Sequence, residues 1–340
     1  MTSLSLPPYN YILINFLTLG LFFIYIFQKK RSAIRQHSFA YGWFFGAGYF
    51  LTNLYWITIS LTFDENFNFL IPIALILIPS FLALFYGLAT YCFFLLKIKK
   101  PSSNLFLFSL LFGLVEFLRG NILTGFPWNL IAYSFSENLE ILQIISFIGT
   151  YSFNILCISF FASPAILILR ENRKEIFVCI FFLLSPIVLY ITGLSKIKSF
   201  QSSSITNNDY IIRAIGTKID LDRFYGNTDT AAVINELIEI SQPDLETKII
   251  FLWPEGIIPN INQKEIKEFE FLFDKKFNEN HFLAIGINDF QKYKNQNKFY
   301  NTFSIYDHKL NLITDYKKVK LVPFGEFLPF EKILSKIGLK

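Results

Sequence analysis

Two short stretches in the last third of the chain carry the residue types that acid–base chemistry needs. The first is Trp253-Pro254-Glu255-Gly256, which directly follows the apolar run Ile249-Ile250-Phe251-Leu252. A carboxylate at the end of such a strand, flanked by an indole and a rigid proline, is expected to be partly desolvated, which raises its pKa and suits Glu255 to general-base work. Strand-end carboxylates also cap helices and turns, so position alone leaves both uses open. The second stretch is Tyr316-Lys317-Lys318-Val319-Lys320, continued by Leu321-Val322-Pro323-Phe324-Gly325-Glu326. An ammonium beside a carboxylate can stabilise a developing oxyanion and balance the charge of an acidic partner. Composition does not choose among Lys317, Lys318 and Lys320, and an ordinary solvated basic stretch looks the same. Glu326, after a glycine-containing turn, reads equally as a cap.

Nucleophiles and metal ligands are sparse. Cys92, Cys157 and Cys179 all fall inside apolar runs, with a spacing that fits neither a zinc site nor a disulfide framework, and residues 180–340 contain no cysteine. They read as small buried hydrophobes. His37, His281 and His308 are scattered, so neither a bound metal nor a histidine-based triad is expected, and nothing calls for a cofactor.

The elements that must position these residues begin after Ser199-Phe200-Gln201-Ser202-Ser203-Ser204, the start of a polar linker over 199–209. Beyond it the pattern predicts strands at 210–216, 248–252, 281–288 and 299–306, with helices at 228–241 and 263–277. Strands alternating with helices imply a layered α/β sheet. Active residues collect at the strand ends of such folds.

The preceding part of the chain is of another kind. Hydrophobic residues make up 53% of the 340 and aromatic residues 19%, above the usual range for a soluble domain, and the apolar runs crowd into residues 9–195. A membrane-crossing helix needs about 20 mostly apolar residues, and candidates lie at 9–27, 39–63, 69–96, 104–118, 139–169 and 176–195. The working count is six crossings within a transmembrane domain spanning 1–198. Basic clusters occupy alternate loops: Lys29, Lys30, Arg31 and Arg35; Lys97, Lys99 and Lys100; Arg170, Arg173 and Lys174. Such loops stay cytoplasmic, which sends residues 210–340 to the outer side, the periplasm of a bacterial inner-membrane protein. The first segment lacks a basic leader and a cleavage site, so it reads as a retained helix. The net charge of +5 is modest and its basic residues serve topology, which argues against a nucleic-acid partner.

Glu116 and Arg119 sit at the outward end of the fourth candidate helix, where a charge costs about 2.5–3.5 kcal/mol on insertion scales. They are expected to face protein, with a structural ion pair favoured over direct catalysis. The loop beyond them, Thr124-Gly125-Phe126-Pro127-Trp128, places two large aromatics at the membrane surface, either as a belt anchor or as the lipid-facing lip of a site above the bilayer.

Several blocks together resemble the apolipoprotein N-acyltransferases, a membrane-embedded branch of the nitrilase superfamily. They are Glu116-Phe117-Leu118-Arg119-Gly120 with Leu123-Thr124-Gly125-Phe126-Pro127-Trp128, Trp253-Pro254-Glu255 with Ile258-Pro259, Phe299-Tyr300-Asn301-Thr302, and Leu321-Val322-Pro323-Phe324-Gly325-Glu326-Phe327-Leu328-Pro329. The resemblance implies a multi-pass α-helical membrane domain followed by part of a nitrilase-like αββα sandwich over 210–340. It also implies ping-pong acyl transfer from a phospholipid, through a cysteine thioester, to the α-amino group of the diacylglyceryl-cysteine that begins a lipoprotein. Carried over by motif, Glu255 corresponds to the general base, Lys318 to the lysine that stabilises the tetrahedral intermediate, and Glu326 to a further active-site carboxylate. Phe224 falls where the family has a tryptophan in a substrate-covering arm, and Trp128 lies in the substrate-facing loop.

The family's nucleophilic cysteine has no counterpart, and the chain reads as trimmed at both ends. It is therefore expected to be inactive alone and to need a complementing C-terminal fragment. Alternatives are an inactive, lipid-binding relative and a membrane-tethered nitrilase-type amidase.

Overall fold

A computed structural model describes residues 1–32, 37–63, 65–96, 98–122, 125–202, 210–217, 229–293, 296–322 and 326–327. The chain divides into two compact units, Met1–Ser203 and Ser204–Lys340.

The first unit is helical. Its elements are α1 (Ile14–Arg31), α2 (Ser38–Leu54), α3 (Ile71–Leu95), α4 (Pro101–Asn121), α5 (Leu139–Leu142), α6 (Ile145–Ala162), α7 (Ala165–Leu169) and α8 (Lys174–Ser202). Proline opens α3 and α4, where its missing N–H costs nothing. The long helices are apolar around most of their circumference, so they can bury one face and still expose large hydrophobes. In α8, Phe177, Phe181, Ile187 and Ile191 point outward.

Among the described residues four helical stretches are long and apolar enough to cross a membrane: Phe67–Leu95, Pro101–Asn121, Ile145–Ala162 and Lys174–Ser202. The sequence pattern anticipated six. The difference lies in α1, whose 18 residues end in Lys29, Lys30 and Arg31, and in α2, which has 17. The fourth span, expected over 104–118, is a full 21 residues. The fifth, expected as one run over 139–169, is broken into α5, α6 and α7. Pro164 separates the last two, and Gly149 bends α6 with φ of 76°. Helix α8 carries on to Ser202, four residues into the stretch read as linker.

Small residues bring α2 against α3. A Cβ on Gly42 would stand 2.1 Å from the Tyr86 carbonyl oxygen, and one on Gly46 would stand 3.0 Å from Tyr86 Cβ. This is the small-xxx-small spacing that lets membrane helices approach closely. Aromatic rings fill the core around this seam, with Phe22 stacked on Phe45 at 4.1 Å and Phe112 edge-on to Tyr86 at 5.1 Å.

The second unit is a mixed five-stranded sheet in the order β1-β2-β3-β4-β5. The strands are β1 (Ile211–Ala214), β2 (Ile249–Glu255), β3 (His281–Tyr293), β4 (Gln296–Tyr306) and β5 (Leu312–Lys317). The first three run parallel, and β4 and β5 return antiparallel. Helix α9 (Thr230–Ser241) joins β1 to β2, capped by Asp229 accepting from the Ala231 N–H at 2.9 Å. Its buried stripe of Val233, Ile234, Leu237 and Ile238 packs into one core with Ile249, Phe251, Trp253, Leu283, Ile285 and Ile287 from the sheet.

The helix expected over 263–277 is instead a 3₁₀ segment at Glu265–Leu272 followed by turns. Ile266, Phe269 and Leu272 pack on the core at a spacing of three, which matches three residues per turn. Strand β5 was not anticipated. It follows a tight turn in which the Asp307 carboxylate accepts from the N–H groups of Lys309 and Asn311 at 2.9 and 2.8 Å.

Candidate active site

Strand β2 ends in an irregularity that aims Glu255. Trp253 pairs with Ile285, but Glu255 pairs with Gly286, so one extra residue is inserted between them. Side chains alternate along a strand, so a one-residue slip carries Glu255 to the face opposite Trp253. Trp253 stays in the core and donates its indole N–H to Ser241 Oγ at 2.9 Å. Gly286 makes the bulge possible: a Cβ there would lie 2.5 Å from Glu255 Cα. The anticipated desolvation of Glu255 by its indole neighbour therefore does not occur, because the ring points away and the Glu255 side chain is 60% exposed.

On the face that Glu255 reaches, three more side chains converge. Asn301 of β4 pairs with Asn288 of β3. Its Nδ2 donates to Glu255 Oε1, and to Glu326 Oε1 at 2.6 Å. Lys318 is tied by its own backbone N–H to the Asn301 carbonyl at 2.8 Å, one residue beyond the Thr302–Lys317 pair. Its ammonium donates to Glu255 Oε1 at 3.1 Å and to Glu326 Oε1 at 2.8 Å. Glu326 is held by Val322, whose N–H reaches its Oε2 at 2.7 Å. Glu326 thus caps its turn and also joins the cluster, combining the two uses left open by the sequence.

Strand alternation separates the lysines that composition could not rank. Lys317 faces the other side of the sheet, 3.4 Å from buried Asp289 and over the Tyr300 ring at 4.2 Å. Lys318 takes the Glu255 side, and Lys320 is exposed. Two carboxylates thus share one ammonium and one amide. Hydrogen bonds from Lys318 to Glu326, and then to Glu255, raise the lysine's pKa against the opposing effect of burial. Burial pushes the Glu326 carboxyl up, but the bonds from Lys318, Val322 and Asn301 outweigh it and leave the pKa lowered. The arrangement keeps a cation charged beside a carboxylate that is open to solvent.

Asn301 is the participant that the reading of single residues passed over. Asparagine is disfavoured within strands, and its place in mid-strand was the available signal. A recess of about 330 Å³ adjoins the end of β2, walled in part by Gly256, Ile258, Pro259, Asn288 and Phe299. Among the described residues no three His, Cys, Asp or Glu side chains gather as a metal site. Cys92, Cys157 and Cys179 lie in α3, α6 and α8 of the first unit. Phe224 lies outside the described residues.

Trp128 belongs to the first unit, in a loop held by the buried pair that the sequence marked out. Arg119 donates through Nε to Glu116 Oε2 at 2.7 Å and through Nη2 to the same oxygen, while Tyr86 Oη donates to Glu116 Oε1 at 2.5 Å. The rest of the guanidinium reaches the loop, with Nη1 on the Phe126 carbonyl at 2.6 Å and Nη2 on that of Trp128 at 2.7 Å. The Trp128 ring, 48% exposed, stacks on Trp56 at 4.7 Å.

Comparison with known proteins gives a consistent picture. Residues 1–163 match the family model described as the apolipoprotein N-acyltransferase N-terminal domain. A protein named apolipoprotein N-acyltransferase in Rhodopseudomonas palustris is 28% identical over 99% of this chain and 65% of its own length. Proteins of the same name in Brucella melitensis (30% identical, 88% of this chain, 57% of the relative) and Rhizobium leguminosarum bv. trifolii (27%, 99% and 65%) are also similar. The chain thus spans between about half and two thirds of the length of these curated relatives.

Proposed function

From the premise that this chain is a relative of the apolipoprotein N-acyltransferases, an acyltransferase family, we propose that it supplies the membrane platform and the acid–base half of a phospholipid:apolipoprotein N-acyltransferase. The observation that carries the reading is the convergence of Glu255, Lys318, Glu326 and Asn301 at one strand end of the second unit. In this reading Glu255 takes the proton from a cysteine thiol, and the thiolate attacks the ester carbonyl of a phospholipid. The tetrahedral oxyanion accepts a hydrogen bond from the Lys318 ammonium. Collapse forms the thioester and releases the lysophospholipid, which recovers the proton from Glu255. The α-amino group of a diacylglyceryl-cysteine then attacks the thioester, loses its proton to Glu255, and expels the thiolate.

Glu326 and Asn301 orient the pair rather than react. In this reading the second unit is a nitrilase-like domain on the periplasmic side, which the basic loops support, and α1 and α2 complete six crossings of the inner membrane. Phe224 and Trp128 are assigned to the lipid substrates by their correspondence to the family's motifs alone. Holding the site at the membrane avoids drawing acyl chains into water, which costs about 0.8 kcal/mol per methylene.

Residues 180–340 contain no cysteine, so in this reading the thiol is supplied from elsewhere. The second reading is a relative that binds lipid without turnover. The test is an acyl-transfer assay with phosphatidylethanolamine as donor and a diacylglyceryl-lipopeptide as acceptor. The chain is assayed alone and together with a segment bearing a cysteine. The mass of one acyl group on the lipopeptide is expected only in the combined sample, with Glu255→Gln or Lys318→Met slower by about 100-fold or more. Transfer at full rate by either variant would remove the assigned roles, and no transfer by the combined sample would leave the lipid-binding reading.

A further inference from the structure

A cavity in the first unit shares no lining residue with the loop of Trp128. It measures about 550 Å³ and is lined by Phe147 of α6 with Thr192, Ser195, Lys196, Ser199 and Phe200 of α8. Local sequence builds it. Gly193 lets α8 come close to α5, since a Cβ there would lie 1.8 Å from the Glu140 carbonyl oxygen. Gly149, with φ of 76°, breaks the start of α6 and turns Ser146 and Phe147 outward. The Lys196 ammonium then crosses from one helix to the other. It donates to Ser146 Oγ at 2.7 Å and stands 4.6 Å from the centre of the Phe147 ring.

We propose that this is a phospholipid headgroup site in which Lys196 binds the phosphate and the Phe147 and Phe200 rings flank the glycerol and upper acyl chains. Helix α8 has 29 residues, about 43 Å at 1.5 Å per residue, against a hydrocarbon core of about 30 Å. Its apolar stretch ends at Ile191, so the Lys196 turn lies at headgroup depth. An ammonium has three donors and Ser146 uses one. Ser195 and Ser199 also line the cavity, the Thr192 hydroxyl is turned back to the Val188 and Leu189 carbonyls, and none of the lining residues is acidic. A lysine that only satisfied the carbonyls ending α8 would fold back on its own helix, whereas Lys196 bridges to α6 over an open cavity.

The test reads binding directly, so its failure and the failure of the acyl-transfer reading are separate results. Purified full chain in detergent is titrated with dioleoylphosphatidylethanolamine, with dioleoylglycerol, which has no phosphate, and with sodium phosphate. Occupancy is followed by native mass spectrometry. Phosphatidylethanolamine should bind more tightly than the other two. Lys196→Gln should weaken it about tenfold, the worth of one hydrogen bond to a charged group, while Lys198→Gln on the same helix leaves it unchanged. Lys196→Gln is at an exposed position, and circular dichroism verifies that the variant folds. Equal binding by Lys196→Gln, equal loss in Lys198→Gln, or dioleoylglycerol binding as tightly as the phospholipid would overturn the proposal. Sodium phosphate binding as tightly as the phospholipid would do the same, by showing a free-anion site.

Discussion

Lys318 is the residue on which the cluster's charge balance turns. Replacing it with methionine leaves Glu255 and Glu326 sharing only the Asn301 amide. The Glu326 carboxyl pKa should then rise from its lowered position, as a pH titration of ¹³C-labelled glutamate by NMR would show; an unmoved Glu326 signal would mean that the lysine is not what holds it. The sign of the pair's stability follows from the two shifts. Glu326, depressed in the fold, stabilises above its ordinary 4.5 and loses that contribution as pH falls through its folded value. Lys318, raised in the fold, contributes below its ordinary 10.5 and loses it as pH climbs through its folded value. His281 gives a second pH-dependent contribution. It is buried, accepts from the Asn278 N–H at Nδ1 (3.2 Å), and turns Nε2 to the Asp244 carbonyl at 2.9 Å. Burial lowers its pKa, so the unfolded chain takes up the proton first. Stability should therefore be complete above about pH 6.5 and fall as the pH drops below it. Melting curves between pH 7.5 and 5.5 should show this slope, and His281→Gln should flatten it. Which of three lysines joins the glutamates was not legible in the sequence, because it depends on strand register. The β5 pairing that separates Lys317 from Lys318 has no counterpart in a count of charges.

Helices and strands were legible to the extent that their neighbours did not intervene. The four long apolar helices, α9 and strands β1 to β4 follow from the runs of apolar residues and their periodicity. The bulge in β2 does not, because what creates it is Gly286 on the next strand. Gly286→Ala should push the Glu255 backbone away at an overpacking cost of about 1–3 kcal/mol, read as a lower melting temperature; a variant as stable as the parent would show that β2 does not approach Gly286 so closely. The seam between α2 and α3 is written as Gly42-x-x-x-Gly46, a spacing that informs only once the partner helix is known. Gly42→Val would set a branched side chain against the Tyr86 carbonyl. The expected cost is about 1–3 kcal/mol of overpacking, measured as a lower melting temperature in detergent, and a variant as stable as the parent would disprove the close approach.

Across the whole molecule, two solvents explain two kinds of sequence. The first unit can leave large hydrophobes outward because its surroundings are lipid, while the second must gather its apolar side chains on the face covered by α9. Helix α8 continues to Ser202 where polar residues signal a linker, since serine and glutamine tolerate a final helical turn. The Glu116–Arg119 pair has a bearing on how such a protein is made. An isolated α4 would present both charges to hydrocarbon, with neither the Tyr86 hydroxyl from α3 nor the two loop carbonyls to meet them. The pair is therefore fully met only when α3 and the chain through Trp128 are both packed against α4, which couples the assembly of these three segments.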